Sequence, residues 1–80
     1  MVEFLRFKDV SKATTLPRGS IYQLIKDGLF PRPCRLGKRI AAFPKDEIGK
    51  FLAARLRGAS DSEIKALIIK IHAERKQVAL

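Results

Sequence analysis

Apolar residues recur at helical spacing in four stretches of this chain, interrupted once by a segment that alternates apolar and basic positions. Phe7, Val10, Ala13 and the methyl of Thr14 share one face, which predicts a first helix from Lys8 to Thr14. Residues 1–6 read as a lead-in, with Phe4 and Leu5 able to seat the end of the chain on a core. The β-branched pair Thr14-Thr15 continues a helix poorly. Pro17 suits the first position of a second helix, where its missing N–H costs nothing and its φ is already set. Ile21, Leu24 and Ile25 form a narrow stripe, and Gly28 suits the left-handed residue just past a helix end. The second helix therefore runs from Pro17 to Asp27, and two short helices joined by two or three residues make a helix-turn-helix.

The stretch FPRPCRLGKRIAAFP carries prolines at 31, 33 and 44, which forbid a long helix. It reads as two strands, Cys34 to Leu36 and Ile40 to Phe43, joined by a tight Gly-Lys-Arg turn into a hairpin wing. A third helix starts near Pro44, has Asp46 and Glu47 in its first turn and Arg55 and Arg57 in its last, and ends at Gly58. Ile48, Phe51, Leu52 and Leu56 are its expected buried face. Ser60-Asp61-Ser62-Glu63 is a capping box opening a fourth helix, whose stripe is Ile64, Leu67, Ile68 and Ile71, widened by Ile69 and Ala73. The expected fold is mainly α with a small β-hairpin wing, a winged helix-turn-helix plus one C-terminal helix. Residues 1–58 form the DNA-binding domain in this reading. Residues 59–80 pack on its core or mediate self-association.

Charge gives these elements a purpose. Seventeen Lys and Arg against eight acids leave a formal net charge of +9 in 80 residues. That excess favours a polyanion. Between Gly28 and Pro44 stand Arg32, Arg35, Lys38 and Arg39, and no acid. The free side of the second helix carries Gly19, Gln23 and Lys26, flanked by Ser20 and Tyr22, with Arg18 in its first turn. Gln bridges adenine N7 and N6, Arg bridges guanine O6 and N7, and a small residue allows close approach to the major groove. Ser20 and Tyr22 are suited to phosphates, which set register without reading sequence. Lys38 and Arg39 at the wing tip, with Arg32 and Arg35 along its stem, are expected to grip the backbone.

Other chemistry has little footing. The single His72 and single Cys34 give no metal-ligand spacing, and no phosphate loop or paired-carboxylate motif is present, so neither an enzyme nor a cofactor is expected. His72 reads as a surface residue on the fourth helix, and Cys34 as a half-buried strand cysteine. One cysteine forms no internal disulfide, and no apolar run reaches the about 18 residues of a membrane span, which points to a cytoplasmic, nucleoid-associated protein. Two rival classes are a basic RNA-binding protein and an interaction module working through the fourth helix. The first calls for exposed aromatics, and only Tyr22 qualifies. The second would most simply be a homodimer.

Leu16-Pro17-Arg18-Gly19-Ser20-Ile21-Tyr22-Gln23-Leu24-Ile25, then Gly28-Leu29-Phe30-Pro31-Arg32-Pro33, then Leu36-Gly37-Lys38-Arg39, resemble the AlpA-type prophage regulatory proteins. The resemblance extends from about Phe4 to Arg57. It departs at Pro17, where family members commonly have Ser, and at Phe43 and Phe51, where they commonly have Trp. It implies a winged helix-turn-helix related to excisionases and MerR-type domains, and a bacterial regulator carried by a phage or genomic island. Such a protein binds double-stranded DNA at a promoter, an attachment site or both. It regulates integrase or excision genes, or acts with integrase as an excisionase, that is, a recombination directionality factor.

Overall fold

The computed structural model describes residues 1–77 and consists of four helices around a small antiparallel sheet. In chain order these are β1 (Phe4–Leu5), α1 (Phe7–Thr14), α2 (Arg18–Lys26), β2 (Cys34–Arg35), β3 (Ala41–Pro44), α3 (Lys45–Leu56) and α4 (Asp61–Glu74), followed by a 3-10 turn at Arg75–Gln77. The winged helix-turn-helix with an added C-terminal helix is thus the fold of the chain. The expected lead-in is a strand instead. β1 pairs with β3 at Phe4↔Pro44 and Leu5↔Phe43, making β3 the centre of a three-stranded sheet. Two residues carry no alternation of their own, and the partner strand is some forty residues away in sequence.

α1 buries Phe7 and Val10, while Ala13, expected on that face, is exposed. The helix stops because Thr15 adopts φ 63°, the left-handed region that β-branched residues avoid. Side chains hold the turn in place. Thr14 Oγ1 donates to the Val10 carbonyl and accepts from the Leu16 N–H, and Ser11 Oγ donates to the Leu16 carbonyl. Pro17 is the N-cap of α2 and not its first helical residue, with φ −68° and an extended ψ of 158°. α2 ends as the glycine requires. Gly28, at φ 76°, donates to the Ile25 carbonyl, and Leu29 to the Leu24 carbonyl, satisfying two terminal acceptors.

The core is organised by aromatic rings. Tyr22 packs on Phe7, Phe7 on Phe43, Phe43 on Phe30 and Phe30 on Phe51, at centroid separations of 4.9, 4.8, 5.7 and 4.8 Å. This run links α2, α1, β3, the segment leading to the wing, and α3. α3 buries Glu47, Ile48, Phe51 and Ala54. Leu52 is half-buried, and Leu56 is 89% exposed, against expectation. Five residues beyond Phe51, Leu56 points about 140° away from it around the helix.

α4 opens with the full capping box. Ser60 Oγ accepts from the Glu63 N–H, and Glu63 Oε1 accepts from the Ser60 N–H. The Ser60 backbone N–H, and after it the Ser60 hydroxyl, hold the Glu63 carboxyl below its ordinary pKa of 4.5. Ile64, Ile68 and Ile71 lie in the same apolar cluster as Phe43 and Phe51, with Leu67 packed against it. Ile69 and Ala73 face outward, so the buried stripe is narrower than the sequence suggests.

Candidate nucleic-acid interface

α2 turns its apolar side inward through Ile21, which is fully buried, and half-buries Leu24 and Ile25. Gly19, Ser20, Tyr22, Gln23 and Lys26 are all exposed, as is Arg18 at the helix start. Two of these side chains are already placed. The Arg18 guanidinium lies 4.6 Å from the centre of the Phe7 ring, against which Tyr22 also packs. A cation over a ring face is drawn to the ring's negative quadrupole. The Gln23 amide donates to both carboxylate oxygens of Asp27, at 3.2 and 3.3 Å. This fixes which way the amide faces and leaves its oxygen and second N–H available. Asp27 was not among the sequence-derived candidates, although an i, i+4 pair on one helix face is a visible signal.

The wing is a hairpin of β2 and β3 in the register Cys34↔Ala42 and Arg35↔Ala41, extended by a bond from the Leu36 N–H to the Ile40 carbonyl. Gly37, Lys38 and Arg39 form its exposed tip. Arg35 folds across that tip, and its Nη2 donates to the Lys38 carbonyl at 2.7 Å. Arg35 therefore braces the turn that displays Lys38 and Arg39. Arg39 meets Arg6, Phe7, Lys8, Arg18 and Ala41 around one groove, so the wing tip and the first turn of α2 share a surface.

The entry to the wing is fixed by α4, and here the sequence reading of His72 needs correction. His72 is half-buried, and its Nε2 accepts from the Arg32 N–H at 3.1 Å, which requires that nitrogen to be unprotonated. Burial first, and then the Arg75 and Arg32 cations, depress the imidazole below its ordinary 6.5, with Glu47 opposing. Arg75 holds the other backbone polar group of the same residue, Nη2 donating to the Arg32 carbonyl at 2.6 Å. The same guanidinium binds Glu47 through Nε to Oε2 at 2.8 Å and Nη2 to Oε1 at 2.5 Å. This hydrogen-bonded carboxylate holds Arg75 still further above its ordinary pKa. Neither Glu47 nor Arg75 stands out in the sequence, because the pair is separated by 28 residues and Glu47 reads as a helix-dipole acid.

Ion pairing separates the basic residues into two groups. Lys45 pairs with Glu3, Lys50 with Glu74, Arg55 with Asp61 and Arg75 with Glu47. Among the described residues, Arg18, Lys26, Arg32, Arg35, Lys38 and Arg39 enter no ion pair, so α2 and the wing carry a run of uncompensated charge, while Arg6, Lys8, Lys12, Arg57, Lys65, Lys70 and Lys76 are unpaired elsewhere on the surface. No three His, Cys, Asp or Glu side chains of the described residues come together to hold a metal ion. None of the described helices is long and apolar enough to cross a membrane.

A helix-turn-helix whose second helix presents a polar face beside an acid-free wing defines a class, the winged helix-turn-helix regulators. The family model for the prophage CP4-57 regulatory protein (AlpA) matches residues 3–56. The chain belongs to this AlpA family of phage-associated, DNA-binding regulatory proteins, which is not a family of enzymes. It is also 36% identical over 55 residues to the uncharacterized protein ORF88 of Enterobacteria phage P4, a match covering 69% of this chain and 62% of that relative. No solved structure matches the chain. The family match ends at Leu56, before α4 begins.

Proposed function

We propose that this protein is a sequence-specific binder of double-stranded DNA in a phage or genomic island. It regulates integrase or excision genes, serves integrase as an excisionase, or does both. One observation carries the reading: the exposed side of α2 and the adjoining wing bring six basic residues together, none of them in an ion pair among the described residues, and no acid stands between Gly28 and Pro44. In this arrangement α2 enters the major groove, with Gln23 and Lys26 facing base edges and Gly19 permitting close approach. Ser20 and Tyr22 hold phosphates beside it. Arg32, Lys38 and Arg39 follow the backbone from the wing, braced by Arg35.

Footprinting of the element's own promoter and attachment site tests the proposal. Protection at the attachment site, with excision by purified integrase stimulated, supports the excisionase role. Protection at the promoter alone supports transcriptional control. Equal binding to every duplex, with no protected site at either place, would overturn sequence-specific regulation. Light scattering with and without the target duplex reports whether the chain acts there as a homodimer.

A further inference from the structure

Arg6, Lys8, Arg18 and Arg39 converge on one groove of about 390 Å³ between the start of α1, the first turn of α2 and the wing tip. No acid lines that groove. Among the described residues none of the four cations enters an ion pair or donates a side-chain hydrogen bond. Like charges gathered without a counter-charge repel one another. An anion seated among them removes that penalty. The groove's aromatic, Phe7, is 9% exposed and has the Arg18 guanidinium against its ring. It offers no open face on which a base could stack, so what the groove recognises is charge.

The geometry points to this groove as a seat for a DNA backbone phosphodiester, held by Arg6 and Lys8 together with Arg18 and Arg39. The inference rests on the DNA-binding reading above and extends it in two ways. It adds the start of α1 to the interface, which neither the helix-turn-helix pattern nor the wing pattern marks. It also moves Arg18 from base reading to backbone binding, because stacking on Phe7 directs its guanidinium into the groove shared with Arg39. A strand running from the α2 groove to the wing must cross this point, and four positive side chains wait there.

The test is the salt dependence of binding to a random-sequence duplex of about two helical turns, followed by fluorescence anisotropy. For each phosphate no longer neutralised, the slope of log K against log salt is expected to shrink by about 0.9. Arg6→Gln and Lys8→Gln should each produce that change. Each variant then loses about three- to fourfold less affinity than the wild type between about 50 and about 200 mM salt. Lys65→Gln and Lys70→Gln, at exposed positions of α4, remove the same charge elsewhere and should leave the slope unchanged. Circular dichroism confirms that each variant is folded. Should Arg6→Gln fail that check, Lys8→Gln and Arg39→Gln address the same groove. Slopes for Arg6→Gln and Lys8→Gln equal to that of the wild type would overturn the groove while leaving DNA binding intact. A wild-type chain that binds no duplex at low salt would overturn the DNA reading itself, and the groove with it.

Discussion

The backbone N–H of Arg32 donates to Nε2 of His72, 40 residues later in the chain, and the Arg32 carbonyl accepts from Arg75. Both polar groups of one residue at the base of the wing are thereby satisfied from a single distant helix and the turn that ends it. This makes the wing's anchorage sensitive to pH. The folded protein holds His72 below its unfolded pKa of 6.5, so the unfolded state binds the proton more readily. The resulting stability is present above pH 6.5 and is lost as the pH falls through the depressed folded value. Thermal melts should show Tm falling as the pH is lowered from about 7.5 to about 5. In His72→Gln that portion of the fall should disappear. An unchanged pH profile in the variant would show that the bond contributes nothing to stability.

Glu47 and Arg75 form the best-shielded ion pair among the described residues, with side chains 12% and 21% exposed. Removing one partner strands the other, whereas removing both does not. Glu47→Gln is expected to cost about 2 kcal/mol, and Arg75→Met a similar amount. The double variant should lose clearly less than their sum. Urea denaturation of all four proteins measures the coupling, and strict additivity would refute it.

Thr15 and Gly28 end successive helices in the same left-handed region, at φ 63° and 76°, yet only one is a glycine. Opposite effects follow for opposite exchanges. Thr15→Gly should relieve the strain of a β-branched residue and raise stability by about 0.5–1 kcal/mol, after allowing for the freer unfolded chain. Gly28→Ala should lower it by about 1 kcal/mol, although nothing within 4 Å would meet the added methyl. Calorimetry should separate the two Tm values by several degrees. A destabilised Thr15→Gly would mean that the Thr15 hydroxyl's bond to the Thr14 carbonyl matters more than the backbone strain.

On DNA, Gln23→Ala should cost about 1–3 kcal/mol at particular base pairs and little on random sequence. Lys38→Ala should weaken binding to all duplexes alike. Asp27→Ala frees the Gln23 amide and removes a negative charge from the same face. It should therefore strengthen random-sequence binding while narrowing the gap between preferred and random sites. Competition binding with both kinds of duplex distinguishes the three, and a wider gap in Asp27→Ala would rule out a positioning role for that carboxylate.

Much of this fold was legible because its signals are local. Gly28, the S-x-x-E box and the proline-bracketed wing each specify a conformation within a few residues, and each stands where the pattern put it. What the pattern missed is non-local. β1 is too short to show a period and exists only because β3 pairs with it. Leu56, Ile69 and Ala13 follow helical spacing well enough to look buried, but which edge of a stripe meets the core depends on the neighbouring element. The interface divides in the same way. The exposed face of α2 and the wing tip follow from spacing and charge. The groove shared by Arg6 and Arg39, and the hold of α4 on Arg32, appear only once distant segments are brought together.

The segment that matches the family model closes at Leu56, yet the stem of its wing is fastened by residues 72 and 75. A scissor cut at that boundary would keep every candidate DNA contact and discard the splint at the base of the wing, which carries four of them. Grafting the matched segment alone onto another protein would therefore transplant the hand without the wrist. Conversely, altering only residues 59–77 offers a way to re-aim the wing without changing one side chain on the surface proposed to meet DNA.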